Sequence, residues 1–434
     1  MKKFLLISAF LVIVLNSYSQ VDPLWLQDTS FVKDLYIMRN KFQSLSFTGY
    51  LQLQYQKADS SGIVSFNGGD FAKASDNRFM IRRGRFRLDY ERKTAEGFYR
   101  YNFALQFDGT EKGVNIRDMF GRLYENKWHN FVATFGVFNR PFGYELNYSS
   151  SLRESPERGR MSQILMKTER DIGVMISFEP QDRSSKLYPI KLDAGIFNGQ
   201  GLTGVGEFDS FKDFIARVSL RRTKIADKFL LSGGISYLNG GFVNGSNTFY
   251  RIVENPSGVN VFSPDSSDAN IERKSPRVYF GSDIQFLWEN AIGRTELRGE
   301  YILGTQSATF GTSVTPCVPS LNKSSAPDYI FVRNFNGAYF YLLQTFLKKH
   351  QIFLKYDWYD PNTKVSGKEI TSVNNFSAAD VRYDTFGAGY ILYANDNLKI
   401  VLYYDHPVNE KSGITNYSSD LPDDTYTVRL QFRF

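Results

Sequence analysis

The chain of 434 residues is poor in the groups that most often carry enzyme chemistry, with one cysteine, three histidines and four tryptophans. A single cysteine, Cys317, excludes any intramolecular disulfide and so a disulfide-stapled extracellular fold. His129, His350 and His406 fall in separate predicted connections, too far apart to share one nucleophile. No Cys/His pair has the spacing of a metal site. Asp420, Asp423 and Asp424 are dense enough for calcium or acid–base chemistry, but loop acids are ordinarily just solvated. No catalytic residue, cofactor or metal ligand is therefore expected. Gly199-Gln200-Gly201-Leu202-Thr203-Gly204 fits a dinucleotide-loop pattern, yet no helix opens after it and no βαβ unit surrounds it.

Long hydrophobic runs are also missing, with one exception. Met1-Lys2-Lys3, the apolar stretch Phe4 to Leu15, and Asn16, Ser17 and Ser19 have the layout of a secretory signal peptide. Cleavage near Gln20 removes residues 1–20 with Lys2 and Lys3, taking the net charge from +7 to +5. Export argues against nucleic acid as a partner, despite a basic, aromatic-rich composition. Beyond the leader no run approaches the roughly 18 apolar residues of a membrane helix. Any spanning structure must then be a closed β-barrel, the other form that satisfies its own backbone in lipid.

What is abundant supports that form. Aromatics make up 16% of the chain, with 27 Tyr and 38 Phe, as interfacial girdles require. After an extension over residues 21–45, whose stretch Thr29 to Lys41 reads as a short helix, apolar and polar residues alternate at period two from Ser46 onward. Phe47, Gly49, Leu51, Leu53 and Tyr55 share one face, and Thr48, Tyr50, Gln52, Gln54 and Gln56 the other. The pattern recurs to the last strand, where Tyr426, Val428, Leu430, Phe432 and Phe434 alternate with Thr427, Arg429, Gln431 and Arg433. An aromatic terminal residue on such a strand resembles the export signal of bacterial outer-membrane barrels.

Connections alternate in length. Short turns are expected near 94–97, 125–130, 181–188, 221–228, 289–292, 348–350 and 394–397, and longer segments near 57–76, 140–169, 199–212, 240–276, 305–334, 361–380 and 407–423. Short periplasmic turns with long outer loops predict an all-β, antiparallel transmembrane barrel of about 16 strands over residues 46–434 in the outer membrane, wide enough for an aqueous lumen.

The densest charge is Arg82-Arg83-Gly84-Arg85-Phe86-Arg87-Leu88-Asp89-Tyr90-Glu91. At period two Arg83, Arg85 and Arg87 share a face, about 7 Å apart. In water each neighbouring pair costs only about 0.6 kcal/mol, whereas an arginine facing the bilayer midplane costs about 2 to 4 kcal/mol. The three are therefore expected to point into the lumen. Arg82 falls on the lipid face, near the strand's outer end, where its head can snorkel. A lumenal guanidinium row attracts anions and offers bidentate partners to phosphate or carboxylate. Balance by lumenal acids such as Asp89, Glu91, Asp108, Asp193, Asp283, Glu296 and Glu300 would instead leave a mixed, unselective field. The loop 140–169 is a second candidate, as a constriction folded inward or as a solvated surface loop. It carries Arg140, Arg153, Arg158, Arg160 and Lys167 against Glu145, Glu154, Glu157 and Glu169.

These residues resemble a family. Arg82-Arg83-Gly84-Arg85-Phe86-Arg87, preceded by Asn77-Arg78-Phe79, looks like the arginine-rich second strand of the phosphate-selective porins O and P. Gly136-Val137-Phe138-Asn139-Arg140-Pro141-Phe142-Gly143-Tyr144-Glu145, Arg170-Asp171-Ile172-Gly173-Val174 and Gly195-Ile196-Phe197-Asn198-Gly199 are similar to further motifs of that family. The resemblance, over roughly Phe47 to Phe434, implies a trimeric 16-stranded anion porin with Arg83, Arg85 and Arg87 as ladder residues leading to a phosphate-binding constriction. The competing expectation is a plugged, non-conducting barrel acting as an enzyme or as a surface binding or assembly protein. The partners expected are small anions, outer-membrane lipid and two further copies of the chain.

Overall fold

The computed structural model describes residues 44–202, 207–316 and 329–434. The leader over residues 1–20, the helix expected over Thr29 to Lys41, and all but the last two residues of the 21–45 extension lie outside the described residues. The strands from residue 45 onward join in one sheet of eighteen.

Nine strands come first: β1 (Leu45–Ala58), β2 (Asn77–Lys93), β3 (Tyr99–Thr110), β4 (Gly113–Tyr124), β5 (Phe131–Asn139), β6 (Arg170–Phe178), β7 (Ile190–Phe197), β8 (Asp213–Ala226) and β9 (Phe229–Val243). A hairpin of β10 (Thr248–Glu254) and β11 (Asn260–Ser266) follows. The chain ends with β12 (Lys274–Glu289), β13 (Gly293–Ala308), β14 (Ile330–Phe346), β15 (His350–Asp360), β16 (Tyr383–Tyr393), β17 (Leu398–Asn409) and β18 (Thr425–Arg433). Because β9 pairs directly with β12, the hairpin stands outside the ring and the wall has sixteen antiparallel strands. The ring closes where β1 pairs with β18, from Tyr50 opposite Arg433 to Ala58 opposite Thr425. Closure leaves no unpaired strand edge in lipid.

Period-two alternation decides which face meets which solvent. Phe103, Val174, Ile235, Ile284, Leu354 and Phe386 are exposed on the outside, while Gln52, Gln54, Gln56, Thr427, Arg429 and Gln431 are buried inside. Such an apolar belt would be an aggregation surface in water and is the lipid-facing wall of a membrane barrel. No helix among the described residues is long and apolar enough to cross a membrane.

All seven expected short turns lie at one end of the barrel, but the opposite end departs from the expected pattern once. Its second connection is only Glu111–Lys112, closed by Gly113 at φ +137°, a backbone state that suits glycine and permits a tight reversal. The turn expected over 221–228 shrinks to Asp227–Lys228, because β8 runs on to Ala226. The long segment 240–276 contains the β10–β11 hairpin, which leans on β14 through a short parallel pairing, Phe249 beside Ile330 and Tyr250 beside Phe331.

The third loop-end connection, residues 140–169, turns into the barrel and carries the one-turn-and-a-half helix α1 (Arg160–Leu165). Its Phe142, Leu146, Met161, Ile164, Leu165 and Met166 pack with inward wall residues such as Phe138, Phe197, Leu238, Ile302 and Phe335 in one buried cluster. Gly337 makes room for this: a Cβ there would stand 2.8 Å from Met161 Sδ. This apolar core means that the inward loop is held by burial as well as by charge.

Candidate functional site: the inward loop and the basic cavities beside it

The loop enters through a turn at Gly143, whose φ of +65° suits glycine. Its amide donates to Ser236 Oγ (3.0 Å), and the next two amides, of Tyr144 and Glu145, donate to Glu300 Oε2 (3.1 and 2.9 Å). A wall carboxylate thus satisfies the backbone of the turn. Glu145 in turn accepts from the Gly159 amide (2.9 Å), tying the loop's two limbs together.

Between these limbs the loop is fastened to the wall by charge. Arg298 meets Glu154 (2.8 Å), and Lys399 Nζ donates to the carbonyls of Ser151 and Arg153. Glu157 takes Arg82 Nε (2.8 Å), Arg83 Nη2 (2.6 Å) and Arg429 Nη2 (3.1 Å). Burial alone would raise the Glu157 carboxyl, but the three guanidiniums outweigh it and hold it well below the usual carboxylate range. The pairing also corrects the expected orientation of Arg82. Phe79 and Ile81 face outward and so does Phe86, so the alternation slips by one residue between Arg82 and Arg83 and both guanidiniums enter the lumen, as at a β-bulge.

Beside the loop, against β1 to β8 and the end of β18, lie two cavities of about 410 and 320 Å³. They share Arg87, Asn139, Asn147, Tyr148 and Arg170 as walls. Eight cationic side chains and four carboxylates line the pair. Asp118 is shared by Arg87 (3.2 Å) and Arg170 (2.7 Å), and Glu179 serves Arg122 (2.6 Å) and Lys191 (3.7 Å). The lining itself carries more cations than acids, an excess partly offset by Asp108, Asp89 and Asp283, which pair with Arg85, Arg87 and Arg217 from outside it, and the fixed pairs keep each side chain in place. The inward faces of Tyr144 and Tyr148, stacked with centroids 5.2 Å apart, form the loop's side of the space.

The residues singled out by sequence are dispersed. Arg83 is buried on Glu157, and Arg85 is bound to Asp108 (3.0 Å) and Ser150 Oγ (2.6 Å) at the edge of the smaller cavity. Arg87 borders both cavities. Arg153 lines the smaller one, with Nε and Nη1 lacking partners among the described residues. Arg140 and Arg158 pack at the loop's base, Arg140 within 4.0 Å of Asp171 and Arg158 3.4 Å from Glu169. Arg160 points to the loop end, and Lys167 is exposed. Sequence reasoning missed Arg122, Arg170, Lys191 and Arg217. Arg122, Lys191 and Arg217 are inward positions at period two on their strands, a signal that was present once the strand phase was known. Arg170, at the first position of β6, is in phase with the outward Ile172 and Val174, and only its ion pair with Asp118 turns it inward.

No known family profile and no curated protein matches the chain. Among solved structures it is similar to DcaP, an outer membrane channel of Acinetobacter baumannii, at 12% identity over 90% of this chain and 97% of that one, with a TM-score of 0.53. It is similar to Pseudomonas putida OprB at 9% identity over 92% of this chain and 96% of that one (TM-score 0.54). It is similar also to OmpT, an outer membrane protein of Vibrio cholerae in a trimer form, at 10% identity over 90% and 99% (TM-score 0.51). At this identity the likeness is one of fold, and with the sixteen-stranded wall and apolar belt it makes the chain a Gram-negative outer-membrane β-barrel of porin architecture.

Proposed function

We propose that the barrel is a diffusion channel for small anions, whose aperture is set by the inward loop 140–169. The observation that carries this reading is the lining of the two cavities beside the loop, eight cations against four carboxylates. Cations fixed by their own ion pairs attract anions without being able to follow them, so each site releases its ion to the next. Oxyanions such as phosphate suit the lining best, because guanidinium forks match them in a bidentate manner. The trimer form described for the Vibrio protein extends by likeness to a homotrimer here. Planar-bilayer recording in a salt gradient tests the reading: the reversal potential should show anion preference, and millimolar phosphate should reduce chloride current. Cation preference would overturn the anion reading, and an unchanged chloride current would overturn the phosphate one.

A second reading has its own support. The apolar cluster of the inward loop borders the larger basic cavity through Phe138 and Met175 and an outer cavity through Ile164 and Tyr359. The basic cavities and the outer cavity share no lining residue. A barrel whose loop never leaves this position would be plugged, and the same recording would then show no conductance at any salt concentration.

A further inference from the structure

On the far side of the inward loop, toward the long loops, lies a cavity of about 510 Å³. Its floor is α1 and its sides are the loop between β1 and β2 and the loops before β14, β16 and β18. Two polar groups in it are unspent. The Arg160 guanidinium carbon lies over the rings of both Phe66 (4.4 Å) and Tyr383 (3.4 Å). Its guanidinium has neither a hydrogen-bond nor an ion-pair partner among the described residues, unlike the arginines of the wall. The two rings hold the cation by cation–π attraction and leave its N–H edge free. Asp423 is 6% exposed, lines the same cavity, and its Oδ1 is buried with no partner. No contact ion pair joins the two, so each keeps its hydrogen-bonding edge for a ligand, although the Arg160 charge acts on the Asp423 carboxyl across the cavity. Much of the remaining lining is apolar, with Ile63, Val64, Ile164, Val381 and Leu421 among it, interrupted by hydroxyls of Ser60, Ser61, Thr312, Ser313 and Tyr417.

A buried polar atom without a partner costs free energy that a ligand can recover by supplying one. The guanidinium asks for a carboxylate, and the carboxyl asks for a donor such as an ammonium. A simple anion would satisfy the first group and be repelled by the second when it is ionised. We infer that the outer cavity is a binding site for a small zwitterion with an apolar side chain, an α-amino acid or short peptide, held by Arg160 at its carboxylate and by Asp423 at its ammonium. The inference is independent of the anion channel, since it concerns a different cavity and equilibrium binding rather than current.

Isothermal titration of the full chain in detergent micelles with leucylphenylalanine, its N-acetyl form and its C-terminal amide tests the site. The free dipeptide should bind, and each blocked form should bind at least about tenfold more weakly. R160Q should weaken the free dipeptide while leaving the amide unaffected, and D423N should do so while leaving the N-acetyl form unaffected. Heat-modifiable gel mobility reports whether each variant retains its barrel. No binding at millimolar dipeptide, or blocked forms binding as well as the free one, would overturn the proposal. So would R160Q and D423N barrels that bind the free dipeptide as wild type does.

Discussion

Arg83 and Glu157, 74 residues apart in sequence, meet end-on through two hydrogen bonds of 3.0 and 2.6 Å, from Nη1 and Nη2. This pair joins the arginine strand to the inward loop. It makes Arg83 an anchor of the loop, whereas Arg87, two inward positions further along, borders the open space.

Replacing Glu157 by Gln removes the charge that Arg82, Arg83 and Arg429 surround. Breaking a buried pair from one side costs about 3–5 kcal/mol, because the partner charges remain. E157Q barrels should therefore unfold at lower urea concentration, and their single-channel current should be larger and noisier as the loop loosens. A variant with wild-type current and stability would show that the three arginines do not hold the loop.

Arg87 and Arg170 share Asp118 and line both basic cavities. The double variant R87Q/R170Q should shift the reversal potential toward cations with the barrel retained, whereas R83Q should affect loop mobility more than selectivity. Equal effects of the two would refute the division between anchor and lining.

Gly143 holds φ +65°, and a Cβ there would collide with the Glu300 carboxylate. G143A should cost about 1–2 kcal/mol from the backbone alone, and more from displacing Glu300 from the amides of Tyr144 and Glu145. Limited proteolysis should then cut the 140–169 loop faster than in wild type, and unchanged cleavage would count against the role given to this turn.

Burial, opposed by Arg160 and reinforced by Asp420, Asp424 and Asp405, pushes the Asp423 carboxyl up to about 7 from an ordinary 3.8. The folded loop therefore holds its proton more tightly than the unfolded one. Its contribution to stability is full below pH 3.8 and is lost as pH rises through about 7. Hydrogen exchange of the loop before β18 should speed up over that interval, and D423N should flatten the dependence. Faster exchange at the acid end would reverse the sign and defeat the account.

The wall was legible because lipid outside and water inside force a strict period of two, visible in Tyr426 to Phe434 without any partner. The phase slip at Arg82 and Arg83 was not, since two adjacent arginines look the same whichever way each points, and what turns Arg82 inward is a glutamate 75 residues away. The turn at Glu111–Lys112 was hidden for a related reason: two polar residues between strands interrupt the alternation too briefly to read as a loop. In the loop 140–169, five basic residues against four acids suggested only a slight charge excess. Its acids instead pair with wall arginines such as Arg298 and Arg429, which strand periodicity could orient but not match to partners.

The seam between β1 and β18, where the amide of Gly49 donates to the Phe434 carbonyl at 3.0 Å, sets an order of events in time. The first and last strands of the wall are each other's neighbours, so this contact has the longest possible span in the ring and is the most expensive loop to close. Until the final strand arrives, β1 presents an unsatisfied backbone edge that no bilayer tolerates. A partly built wall can therefore sit in lipid only if something else pairs with or covers its open edge until β18 arrives.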